Sequence, residues 1–346
     1  MFCRGGPRVM PRGPGGKPES QAAAGRVTQR PARIPRRRVC ESGGVTIEPP
    51  VPGEPRRPSG PRDPGDAWVV APTGERYWGV FGAAGLLAVD PERGVLLQHR
   101  VSWSHFGGTW ALPGGARHRG ESALDGAMRE AGEEAGVPRA GVRPRLLSVL
   151  DLGYWSYATL VADVVAPFEP VISDPESVEL AWVPVDAVGS YPLHPGFAHA
   201  WTQLRAELEV RPVIVVDAAN VVGSVPDGWW RDRAGAASRL LGELSRLSDR
   251  GIAGAELGMP GHTWFPRIVV VLEGQAKDAV APPSAGVQVV RAPGAGDDAI
   301  AAESMRLAAS GDRVTVVTSD RELAQRVSEA DAAVRGAGWL RALLDA

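Results

Sequence analysis

Residues 114–137 read GGARHRGESALDGAMREAGEEAGV, and the fold is decided there. Glu130, Glu133 and Glu134 stand at i, i+3 and i+4, so a helix brings all three carboxylates onto one face. Like charges at that spacing repel by roughly 0.2–0.5 kcal/mol per pair on an open surface, so the trio calls for a cation among them. Hard oxygen donors of this kind suit Mg²⁺ or Mn²⁺ rather than zinc. Upstream, the strand-like Thr109–Leu112 runs into Pro113-Gly114-Gly115, a turn that needs unusual backbone angles. Glu121 precedes Arg129 by eight residues and can pair with it, while Gly136 is placed to close the helix.

Working outward, 346 residues predict about two domains. Residues 1–65 carry a charge balance of +8 and 13 of the 31 prolines, with almost no apolar periodicity, and are expected to be a disordered tail. Residues 66–210 balance at −8 and 211–346 at −2, which argues against a long polyanion lying across the first folded region. Lysine occurs only at positions 17 and 277, so the positive charge is nearly all arginine. Both cysteines, Cys3 and Cys40, lie in the tail, leaving no disulfide or thiolate metal site for the folded parts. No apolar run approaches the ~20 residues that span a membrane, and the tail lacks a signal-type apolar stretch, so a cytoplasmic chain is expected.

The order Gly115, five residues, Glu121, seven residues, Arg129-Glu130-Ala131, one residue, Glu133-Glu134, one residue, Gly136-Val137 resembles the Nudix box. Strand patterns at 80–88, 94–100, 146–152, 156–165 and 178–184, with helices near 121–135 and 195–208, extend the resemblance over residues 66–208. It implies an α/β/α sandwich around a mixed sheet and hydrolysis of a diphosphate linkage in a nucleoside diphosphate derivative. The expected substrates are an oxidised or free nucleoside triphosphate, or an RNA 5′ end. Glu130, Glu133, Glu134 and the Gly115 carbonyl would hold Mg²⁺ or Mn²⁺, with Glu121 and Arg129 as a supporting pair. Such a cation acidifies water and neutralises phosphate oxygens while a carboxylate takes the proton. A further acid outside the box, Glu176 or Glu179 with the choice leaning to Glu179, would be the general base or an extra ligand. Arg100 and Arg117 are candidates for phosphate, and Trp103, Trp110 and Trp155 for base stacking, Trp110 reading as structural.

Beyond Arg211-Pro212 a new pattern begins. Short apolar runs at 213–216, 267–272, 287–290 and 314–317 alternate with helical segments, which predicts a doubly wound, mostly parallel sheet covered on both faces. Asp217, Glu273 and Asp320 trail strands, where such sheets place function, and Asp297 and Asp298 open a helix. The signatures VDAANVVG, GAGDDAI and VVTSDREL resemble the NYN branch of the PIN-like nucleases over residues 211–346. The resemblance implies a metal-dependent ribonuclease with Asp217, Asp297 or Asp298 (spacing favouring Asp297) and Asp320 at the metal, and Asn220 beside it. RNA contacts would fall to Arg321, Arg326 and Lys277, with Trp229-Trp230 available to stack. Residues 251–266 read as a long loop. A nucleotide-sensing Nudix module that regulates the second domain is the alternative reading.

Overall fold

The computed structural model describes residues 44–50, 63–284 and 286–346. Most of the expected tail lies outside these residues. Inside it, β1 (Thr46–Glu48) is ordered, pairing antiparallel with β2 (Trp68–Val70), which pairs in turn with β3 (Arg76–Trp78). Three-residue strands this short leave no periodic signature, which is why the sequence showed none of them.

The main sheet is built around β4 (Ala83–Asp90), β5 (Gly94–Arg100), β6 (Trp110–Ala111) and β7 (Gly114–Ala116). The helix α1 (Ala123–Ala135) follows, then β8 (Val142–Asp151), β9 (Ser156–Val164), β10 (Ser177–Val183) and the helix α2 (Pro195–Leu208). β4 and β9 run parallel at the centre, Ala83 opposite Tyr157 through Val89 opposite Asp163, while β5 and β8 flank them antiparallel. One face carries Ala84, Leu86, Ala88, Leu96, Ala158 and Leu160 against α1; the other carries Leu87, Val95, Leu97 and Val161 against α2. The side chains α1 turns to the sheet are mostly small, Ala127, Ala131 and Ala135, so the helix approaches closely and its flanking glutamates come down onto the sheet edge. Ser122 caps its N-terminus by accepting from the Asp125 N–H. Gly136, at φ 64°, ends it while the Val137 N–H returns to the Ala131 carbonyl at 3.2 Å.

A second sheet is wholly parallel. Its strands are β11 (Pro212–Asp217), β14 (Arg267–Leu272), β15 (Val287–Arg291), β16 (Arg313–Val317) and β17 (Ala333–Arg335), ordered β15-β14-β11-β16-β17. Helices α3 (Ala218–Gly223), α4 (Arg233–Arg250) and α8 (Ala337–Asp345) cover one face; α6 (Gly296–Ala309) and α7 (Arg321–Ser328) cover the other. Strand order reverses beside β11, the place where such sheets open a crevice beyond their carboxyl ends. Among the described residues no helix is long and apolar enough to cross a membrane.

Residues 251–266, expected as a loop, instead add to the first sheet. β12 (Ile252–Ala253), the single-turn α5 (Gly254–Leu257) and β13 (Thr263–Trp264) form a small hairpin, and β13 pairs antiparallel with β8. The His262 and Phe265 N–H groups donate to the Leu147 and Arg145 carbonyls at 3.1 and 2.9 Å. Trp264 is fully buried in the α2-side core, its indole N–H donating to the Pro260 carbonyl at 2.6 Å. A segment lying between two strands of the parallel sheet therefore completes the edge of the mixed one.

Candidate active site

The α1 carboxylates differ sharply in surroundings. Glu130 and Glu134 are both 2% exposed, whereas Glu133 faces solvent. Glu134 accepts the Gly114 N–H at 2.9 Å, which ties the C-terminal turn of the helix to the start of β7. Gly115 leaves the space that the Glu130 carboxylate occupies: a Cβ there would fall 2.8 Å from its Oε1 and displace the carboxylate. Arg129 stands among the acids. Its guanidinium donates to both Glu121 oxygens at 2.8 and 3.0 Å, to Glu130 at 2.8 Å, to Glu133 at 3.2 Å and to the Ala116 carbonyl at 2.9 Å. Glu121 also accepts the His118 N–H at 2.8 Å. The Arg129 bonds, then that N–H, hold the Glu121 carboxyl below the usual carboxylate range.

Arg100 ends β5 at the same end of the sheet. Its guanidinium lies 3.9 Å from Glu176 and donates to the His105 carbonyl at 3.3 Å. The Tyr157 hydroxyl is pushed up to about 12, by burial first, with the Glu134 charge raising it and Arg100 opposing. One phenol therefore senses both Arg100 and the acid helix. A bulge between Ser177 and Glu179 resets the β10 register, so Glu179 falls opposite His99 and is exposed. Glu176, not the favoured Glu179, is the acid facing Arg100. Arg117 donates twice to the Glu121 carbonyl, at 3.2 and 2.6 Å, which spends its guanidinium on the loop. Trp110 is buried and stacked on His99, and Trp155 lies on Tyr77 while donating to the Trp78 carbonyl. Trp110 belongs to the core, Trp155 has Tyr77 stacked on its ring, and Trp103 is left 47% exposed.

The NUDIX domain profile matches residues 81–204. A Mycobacterium tuberculosis protein named "Putative 8-oxo-dGTP diphosphatase 3" is 45% identical over 166 residues, spanning 45% of this chain and 76% of that protein. The chain belongs to the Nudix family. It is a hydrolase acting on diphosphate bonds. A nucleoside triphosphate pyrophosphatase/Nudix hydrolase fusion protein of Bifidobacterium longum is 39% identical over 154 residues, 42% of this chain and 32% of its own length. The crystal structure of RenU, a Nudix hydrolase from M. smegmatis, is 46% identical with a TM-score of 0.39, covering 42% of this chain and 95% of that one.

Nudix enzymes generally use divalent metals. Among the described residues no three His, Cys, Asp or Glu side chains already converge as a metal-binding group; at α1, Arg129 takes that central place. The donor set nonetheless fits a hard cation, with three carboxylates on one helical turn beside a backbone notch that Gly115 keeps clear for Glu130.

The acids of the parallel sheet gather beyond its carboxyl edge. Asp217, 7% exposed, accepts from the Thr318 hydroxyl at 2.9 Å and from the Asn220 N–H at 3.0 Å. Asn220 accepts the Ser319 N–H at 2.9 Å, which fastens the ends of β11 and β16 together. Burial raises the Asp217 carboxyl, and the charges of Asp297 and Glu273 raise it further. Asp297 is raised by burial, then by Asp320 and Glu273. Asp320 caps α7 by accepting the Leu323 N–H at 2.9 Å. Asp298 turns away to Arg326 at 2.9 Å, which also engages one arginine expected to meet RNA. Lys277 donates to the Ala292 carbonyl at 3.3 Å, and Trp229 packs on the core with Arg233 over its ring. Glu273, noted in the sequence as trailing a strand but given no metal role by the resemblance, accepts the Gly296 N–H at 2.7 Å and joins the group. Its position just after β14 was the available signal.

Proposed function

We propose that the chain hydrolyses the diphosphate linkage of an oxidised or free nucleoside triphosphate, 8-oxo-dGTP being the first substrate to test. The observation that carries this is the α1 turn, where Glu130 and Glu134 are buried against the Gly114–Gly115 notch and Glu133 is open to solvent. The name of the M. tuberculosis relative supports the choice of nucleotide. Glu130, Glu133, Glu134 and the Gly115 carbonyl would hold Mg²⁺ or Mn²⁺. A divalent cation bound there supplies charge neutralisation at the diphosphate and acidifies water. The chain's own residues do the rest. Arg100 faces the phosphates, Glu176 beside it is the further acid that accepts a proton, and the Glu121–Arg129 pair keeps the helix and the loop in register. Residues 66–208 form this domain, with 252–264 added at its edge. The test is a screen of the full chain with Mg²⁺ and Mn²⁺ against free nucleotides, nucleotide sugars, dinucleotide cofactors and capped RNA. Saturable binding with no turnover anywhere would replace the hydrolase with a nucleotide sensor.

Residues 211–346 we propose as an NYN/PIN-like ribonuclease domain. Asp217, Glu273, Asp297 and Asp320 would supply the metal ligands, and Asn220 positions the loop after β16. What supports this reading is the gathering of these acids where the strand order reverses. Mn²⁺-dependent cleavage of single-stranded RNA, lost in Asp217→Asn, tests it.

A further inference from the structure

Phe106 has φ 53°, in the left-handed region, and is 46% exposed. Among the described residues Asp331 is the other non-glycine there, and aspartate tolerates that region while a bulky aromatic does not. Strain of this kind persists only where the surroundings over-determine it, and it gathers at ligand sites. The surroundings here do so. The Gly107 N–H donates to the Ser104 carbonyl at 2.9 Å and the Gly108 N–H to that of Arg100 at 2.9 Å; the Thr109 hydroxyl donates to the Phe106 carbonyl at 2.6 Å. A Cβ on Gly107 would strike the Val101 carbonyl oxygen at 2.3 Å, so the loop closes on itself with no slack.

The ring itself rests on two imidazoles. His105 lies 4.2 Å away and His194, at the start of α2, 4.8 Å away, both edge-to-face. His105 is braced in turn by Trp68, 5.0 Å between centroids, and Trp68 by Trp78 at 4.9 Å. Trp68 and Trp78 belong to the small sheet β1–β3, which lies before the NUDIX match at residues 81–204. Arg76 covers the Trp68 ring at 4.4 Å, and Arg100 grips the loop through the His105 carbonyl. An exposed aromatic in a loop that Arg100 holds, braced through His105 by a Trp68 that Arg76 covers, matches a ligand with a flat base and an anionic tail.

We propose that Phe106 is the stacking face for the substrate's nucleobase, and that the β1–β3 sheet is an added brace whose Trp68 positions it through His105. The inference rests on the nucleotide reading above. Stacking is sequence-tolerant because every base has a π-face, so Phe106 sets affinity for nucleotides as a class, purines most strongly.

The test compares wild type with Phe106→Asn, which tolerates the left-handed backbone, and with Trp68→Leu as the positioning variant. For 8-oxo-dGTP and dGTP, Phe106→Asn is expected to raise KM about tenfold, a loss of one stacked base, with kcat within twofold and Tm equal to or above wild type. Trp68→Leu is expected to raise KM in the same direction without abolishing kcat. Binding of the α,β-imido analogue of dGTP is measured alongside and keeps the question open to decision even if no nucleotide is turned over. A tenfold weaker Kd in Phe106→Asn supports the stacking face independently of turnover. A KM and Kd within twofold of wild type in the folded variant overturn it.

Discussion

Trp264 lies directly opposite Leu146 in antiparallel register, although more than a hundred residues separate them. The pair joins the segment before β14 to the outer strand of the Nudix sheet, and the indole sits fully buried beside Leu204 and Leu208 of α2. Truncating a buried tryptophan usually costs about 3–5 kcal/mol through lost transfer and an unfilled cavity. Trp264→Ala is therefore expected to destabilise the Nudix sheet by that amount while leaving every active-site residue in place. Denaturant unfolding followed by intrinsic fluorescence checks it; a midpoint unchanged from wild type would show that the hairpin adds nothing to the sheet.

Acid sensitivity should come partly from Glu121. Its carboxyl is held below the ordinary value of 4.5, by Arg129 first. A depressed folded-state value contributes stability that is present above about 4.5 and is lost as pH falls through the folded value. Glu121→Gln should lower stability at pH 7 and flatten the stability-versus-pH curve below about 4.5. Parallel pH titrations of both proteins, read as unfolding midpoints, decide the matter.

His194 adds a second slope with a different window. Burial, then the charges of Arg100 and His105, push its imidazole down to about 4 from an ordinary 6.5. The unfolded chain binds a proton between those values and the folded chain does not, so stability falls as pH drops from about 6.5 to 4. His194→Asn keeps a capping side chain at the start of α2 and should remove that slope. An identical decline in the variant over this range would assign the slope to other groups.

The second acid group separates from the first by mutation. Asp217→Asn is expected to abolish Mn²⁺-dependent RNA cleavage while nucleotide hydrolysis stays within twofold of wild type. Gel analysis of a labelled single strand, with nucleotide turnover assayed on the same preparation, gives both readings.

The acid turn was legible from its residues because helical spacing alone puts Glu130, Glu133 and Glu134 on one face, and the long apolar strands announced themselves by composition. The alternation of the parallel sheet was equally plain, since each of its central strands is buried on both faces. What escaped were features created by tertiary pairing. β12 and β13 are two residues each and exist only because β8 offers an open edge. Which of Glu176 and Glu179 lies beside Arg100 follows from a bulge that breaks period-two reasoning. Arg129 was foreseen as a partner of Glu121, but its reach to Glu130 and Glu133 depends on how the guanidinium lies across the turn. The left-handed Phe106 carries no signal in a sequence, because nothing about phenylalanine predicts a positive φ.

The central claim is that the α1 carboxylates serve diphosphate hydrolysis. The most direct measurement is release of pyrophosphate from 8-oxo-dGTP by the full chain with Mg²⁺, compared across wild type, Glu133→Gln and Glu134→Gln. Wild type is expected to turn the nucleotide over, and each folded variant to lose about a hundredfold or more of that rate. Wild-type rates in both variants would contradict the claim.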